Sequence, residues 1–75
     1  MAVVRLHLTL IEMAGGKKEL VIDARQPVLL TALLERLEVP QDEVGIIVRN
    51  RKMDAIDCVI HEGDVVELFP IFSGG

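Results

Sequence analysis

The sequence predicts a two-layer α+β fold: a mixed sheet of four to five strands with one helix packed on one face. Four stretches carry that expectation. Val3 to Ile11 and Lys18 to Ala24 both alternate apolar and polar residues around a glycine-bearing loop. Leu30, Leu33, Leu34 and Leu37 recur at helical spacing. Val65 to Phe69 is a β-branched, apolar run of strand length. Period two marks a half-buried strand, and a stripe at i, i+3, i+4 and i+7 marks an amphipathic helix. One such helix among strands gives a sheet with one covered face and one wet face.

In the first run Val4, Leu6, Leu8 and Leu10 share a face opposite Arg5, His7 and Thr9. Gly15-Gly16 lies in the loop, and no GK[ST] follows it, so it reads as a turn rather than a phosphate loop. In the second run Leu20, Ile22 and Ala24 oppose Glu19, Val21 and Asp23, which completes a hairpin. Pro27 suits the first turn of the helix, where a missing N–H is harmless. Gln26 is a poor N-cap, so packing of the leucine stripe must hold the helix, and Pro40 limits its far end. Val44 to Arg49 reads as a third long strand, with Val44, Ile46 and Val48 inward and Ile47 and Arg49 outward. Asn50-Arg51-Lys52 is a polar turn, and Met53 to Ile60 a short strand or irregular segment. Glu62-Gly63-Asp64 is a turn signal. Pro70 has no N–H for a ladder, so pairing is expected to end near Phe69.

Composition narrows the function. A chain of 75 residues makes a single domain, 1–75, with a small core, and 51% apolar residues are too many for disorder. No apolar run is long enough to span a membrane, and Met1 to Leu8 does not read as a signal peptide, so a cytoplasmic protein is expected. A formal charge of −4 disfavours nucleic acid and suits a basic protein partner. Cys58 is the sole cysteine, which forbids an internal disulfide and reads best as a small buried residue. His7 and His61 have no partners at metal-ligand spacing, so no metal site is expected. Ser73 has no histidine and acid placed to activate it. A self-sufficient enzyme is not expected.

The sequence ends Gly74-Gly75. Terminal glycines are often merely frayed. Alternatively, a glycine end without Cβ can thread a narrow channel and offer an unhindered carboxylate. The ending GDVVELFPIFSGG resembles that of the MoaD/ThiS sulfur carriers, small ubiquitin-like β-grasp proteins. The resemblance covers the chain by length and element order, and it is specific in this segment. It implies a flexible Gly-Gly tail, with Ser73 and Gly74 leading to a reactive carboxylate on Gly75. It implies ATP, used by a partner rather than bound, for adenylation by a ubiquitin-activating-type adenylyltransferase (MoeB/ThiF-like). A sulfurtransferase or cysteine desulfurase then supplies sulfur. The acceptor is the large subunit of molybdopterin synthase (MoaE-like) or thiazole synthase. Phe69-Pro70 and the long first hairpin are similar to the MoaD branch, whereas Ile71 stands where many MoaD tails carry a second proline and Phe72 is bulkier than usual. A β-grasp interaction module with an incidental Gly-Gly is the alternative of another class. In either case Val65, Glu67 and Phe69 share one parity, and with Ile47 they are expected on the solvent face. Ile47, Phe69, Ile71 and Phe72 are the candidate partner-binding residues.

Overall fold

A computed structural model describes residues 1–72 of the chain. In order, it contains strand β1 (Ala2–Leu6), a short helix α1 (Thr9–Met13), strand β2 (Glu19–Ile22), strand β3 (Val28–Leu29) and helix α2 (Leu30–Leu37). A 3-10 turn (Gln41–Glu43) follows, then strands β4 (Val44–Arg49), β5 (Lys52–Asp54), β6 (Val59–Ile60) and β7 (Val65–Pro70). The main sheet has five strands in the order β2-β1-β7-β4-β5, and β3 and β6 form a separate two-stranded ladder. β1 and β7 run parallel at the centre, and the other neighbouring strands are antiparallel. This is the mixed sheet of a ubiquitin-like β-grasp fold, with α2 on one face.

One core fills the space between the layers. Val4 and Leu6 from β1, Val66 and Leu68 from β7 and Ile47 from β4 meet Leu30, Leu33 and Leu34 of α2. Leu10 of α1 and Ile60 of β6 close the cluster, both fully buried. The leucine stripe is therefore core, as its spacing requires, with Leu37 packed at the margin.

Several expectations change on contact with the fold. The first alternating run is not one strand. It stops at Leu6, and Leu8 takes φ 56°, ψ −131°, which swings the chain out of the sheet. Leu8 is left exposed, while Leu10 reaches the core from α1 instead. The helix closes with the Ala14 N–H on Leu10 O and the Gly16 N–H on Ile11 O, while Gly15 and Gly16 take φ 72° and 91°. Those dihedrals are cheap only for glycine. The hairpin of β1 and β2 is thus joined through a helical turn. Pro27 does not begin α2, because β3 intervenes. The Leu30 N–H instead donates to Cys58 O at 3.1 Å, so a distant backbone carbonyl serves where no side-chain cap exists. β7 runs through Pro70, which pairs with Val44, and the Ile71 N–H donates to Glu43 O at 3.1 Å.

The parity of β4 is also inverted. β4 and β7 slip register between Val44 and Ile46, with Gly45 as the extra residue. An extra residue flips every later side chain to the opposite face. Ile47 consequently sits opposite Leu68 in the core, 5% exposed, and is not a surface residue. Arg49 follows it to the covered side, and Ile46 and Val48 face outward instead.

Candidate functional site

The uncovered face of the sheet is built around the outward residues of β7. Val65, Glu67 and Phe69 alternate with buried Val66 and Leu68, as expected. Register places Val3 beside Val65, Arg5 beside Glu67, and Ile46 and Val48 beside Phe69 and Glu67. Further out lie Val21 on β2 and Met53 on β5, 62% and 77% exposed. The result is an apolar sheet face crossed by a few charges.

His7, just past β1, organises the middle of this face. Its ring stacks on Phe69 with centroids 4.3 Å apart and planes 7° from parallel. Its Nε2 lies 3.2 Å from Glu67 Oε1. The His7 N–H donates to Leu68 O at 3.1 Å, which fixes the backbone beneath the ring. These contacts hold Phe69 in one orientation. The two rings meet because β1 and β7 are parallel neighbours, a pairing that sequence spacing does not reveal.

Past Pro70 the chain leaves the sheet. Pro70 is buried, and Ile71 and Phe72 are 50% and 65% exposed. Phe69, Ile71 and Phe72 thus lie together at one end of β7, whereas Ile47 is excluded from the surface. Ser73, Gly74, Gly75 and the expected flexible tail lie outside the described residues. Ile46 and Val48 are outward residues that the alternation of β4 had pointed inward. The glycine inside the β4 run was the available signal, since a glycine within a strand often marks a bulge.

Arg49, on the covered side of β4, is held by two carboxylates. Arg49 Nε donates to Asp54 Oδ2 at 2.8 Å and its Nη1 to Asp64 Oδ2 at 3.3 Å. These bonds raise the Arg49 pKa further and hold Asp54 below the usual carboxylate range. Asp64 is 8% exposed. Burial alone would raise its pKa, but hydrogen bonds from Asn50 Nδ2, the His61 N–H and Arg49 outweigh that and lower it. The group latches the turn before β7 onto the β4–β5 hairpin, whose turn residues Asn50 and Arg51 take positive φ. Cys58 is buried, and burial followed by the nearby Asp54 charge pushes its thiol pKa up, which leaves it an inert core residue. Among the described residues no cluster of His, Cys, Asp and Glu could hold a metal, and no helix is long and apolar enough to cross a membrane. Among the described residues the face assembles no nucleophile with a base.

Comparison with known proteins agrees with this geometry. The fold superposes on the crystal structure of SAMP1 from Haloferax volcanii with a TM-score of 0.71 and 24% identity, over 99% of this chain and 98% of that one. It also superposes on a putative molybdopterin converting factor, subunit 1, from Pyrococcus furiosus with a TM-score of 0.66 and 21% identity, over 92% and 94% of the two chains. At these identities the likeness establishes the fold. No curated protein matches the sequence. The model of the ThiS family matches residues 4–75, nearly the whole chain. The chain therefore belongs to the ThiS family, and is a small β-grasp sulfur carrier of the ThiS/MoaD kind rather than a catalyst.

Proposed function

We propose that the chain carries sulfur as a thiocarboxylate on Gly75 and docks on its partners through the outer sheet face. The observation behind this reading is the path of β7. The strand that presents Phe69 on the open face continues directly into exposed Ile71 and Phe72, three residues before Gly75 in sequence. A partner that grips the face therefore holds the base of the tail as well.

The chemistry follows from the poor leaving group of a free carboxylate. A MoeB/ThiF-like adenylyltransferase joins the Gly75 carboxylate to the α-phosphate of ATP and releases pyrophosphate. The persulfide of a sulfurtransferase or cysteine desulfurase then attacks the acyl carbon and expels AMP, and a thiol reduces the resulting acyl disulfide to the thiocarboxylate. Stabilising the charge in these steps falls to the partner, whose preorganised dipoles are the usual means. The cytoplasm, which holds ATP and such donors, is the compartment this reading requires. We assign the MoaD-type role, with the large subunit of molybdopterin synthase (MoaE-like) as acceptor. Phe69-Pro70 supports it, as does likeness to a structure named as a putative molybdopterin converting factor subunit. Thiazole synthase is the acceptor under the second reading, which the matching family model favours by its name.

Intact mass spectrometry after incubation with the adenylyltransferase, ATP and a sulfur donor tests the proposal. The expected product has one oxygen replaced by sulfur. One residue appended after Gly75 moves the carboxylate and should abolish the product. Gly74→Val should do the same, because a β-branched side chain stiffens and widens the tail. A wild-type chain that binds the adenylyltransferase yet never gains adenylate or sulfur would favour the plain interaction module. Presenting the loaded carrier to both acceptors then decides between the two pathways.

A further inference from the structure

We infer that Gly45, far in sequence from the tail, is a positioning residue that sets where the reactive end leaves the sheet. The inference rests on the carrier reading above. Gly45 is the extra residue of β4 at the register slip opposite Phe69 and Pro70. It does not have the positive φ seen at Gly15, Gly16 and Gly63, so its own backbone would accept a side chain. What excludes one is the departing chain. A Cβ at Gly45 would lie 2.7 Å from Ile71 Cα, 3.0 Å from Ile71 N and 3.0 Å from Pro70 O. All three are backbone atoms, which cannot rotate away as a side chain can.

The neighbouring contacts show what this close approach achieves. The Ile71 N–H donates to Glu43 O at 3.1 Å, on the other side of Val44 from the glycine. Ile71 is thereby pinned by a hydrogen bond to the residue before β4 and by direct contact with the backbone of Gly45. Pro70 is buried and has no N–H, so its ring fixes the residue immediately before the pin. Ile71 is itself half exposed, so this anchoring does little for the core. Its effect is on direction. Phe72 to Gly75 span at most about 14 Å when extended, and they start from a backbone position held on two sides. Any side chain at position 45 moves that start, the point from which the tail must reach a partner's active site. A displacement of about 1 Å at a reacting group can cost ~100-fold in rate.

The test compares the wild-type chain with Gly45→Ala in pyrophosphate release from ATP by the ThiF/MoeB-type adenylyltransferase of the same organism. We expect kcat to fall about 10- to 100-fold while KM for the carrier stays within about 3-fold, because the docking face remains while the start of the tail is displaced. Amide hydrogen exchange should show Ile71 losing protection in the variant, with Val66 and Leu68 unchanged. Ile71→Gly keeps the amide and the Cα but removes the side chain, so its effect should fall on KM rather than kcat. Equal kcat for Gly45→Ala and wild type would overturn the inference, as would a loss confined to KM. A Gly45→Ala chain that no longer unfolds cooperatively would overturn it too, since the glycine would then serve the sheet and not the tail. Failure of the wild-type chain to release pyrophosphate with an enzyme that binds it counts against the carrier reading itself.

Discussion

Leu8 occupies a backbone conformation that leucine seldom adopts. Its φ of 56° with ψ of −131° falls in a sparsely populated region, and its side chain is 60% exposed. A residue so placed costs ~1–3 kcal/mol, and exposure leaves little packing to offset that cost. Glycine at this position removes the Cβ conflict, although it adds freedom to the unfolded chain. Leu8→Gly is therefore expected to stabilise the fold by about 1 kcal/mol, read as a higher urea midpoint with an unchanged slope. A lower midpoint would mean that the leucine side chain packs usefully on its surroundings. Nothing in the sequence flags this residue. Leu8 continues the alternation of Val4 and Leu6 without a break, and only the departure of α1 from the sheet turns it outward.

Elements fare better than residues in such a reading, and their failures have identifiable causes. The leucine stripe marks α2 and its buried face, because helical periodicity is local. The start of α2 was misread, because Leu30 is held by the carbonyl of Cys58, a contact between distant segments. The β4 run was found with its bounds intact, but one bulge residue inverted its faces and moved Ile47 from the candidate surface into the core. The parity of β7 was legible, so Phe69 and Glu67 were placed on the correct face while their β4 neighbours were not. The Asp64 latch was invisible for a similar reason: Asn50 and Arg49 reach it from another turn. Its consequence is a dependence on pH. Asp64 and Asp54 have folded-state pKa values held below the ordinary carboxylate value, so the unfolded chain takes up protons more readily than the folded one. Their contribution to stability is complete above the unfolded carboxylate pKa of about 4. It is lost as pH falls through the depressed folded values. Urea unfolding midpoints should be level near neutrality and decline below about pH 4. Asp64→Asn, which does not ionise, should make that decline shallower. A decline of equal steepness in the variant would remove Asp64 from the account.

At the scale of the molecule, the docking face belongs to no single element: β1, β4 and β7 contribute to it, and His7 braces its central ring. A buried aromatic anchor at such a surface typically contributes ~2 kcal/mol or more to binding. Phe69→Ala should weaken binding to the adenylyltransferase by about that much, measured by titration calorimetry, and leave the cooperative unfolding of the chain in place. Normal affinity in that variant would move the interface elsewhere. The sheet order has a separate consequence for biosynthesis. β7 emerges from the ribosome after every other described strand, yet it lies between β1 and β4 and pairs with both. Until it is made, β1 with β2 and β4 with β5 are two hairpins without a shared neighbour, and long-range pairing of this kind forms late. A nascent chain that aborts within β7 therefore lacks both the Gly-Gly end and the strand that joins the two hairpins. Such fragments are open to proteolysis, so loss of the Gly-Gly end and loss of the folded sheet go together.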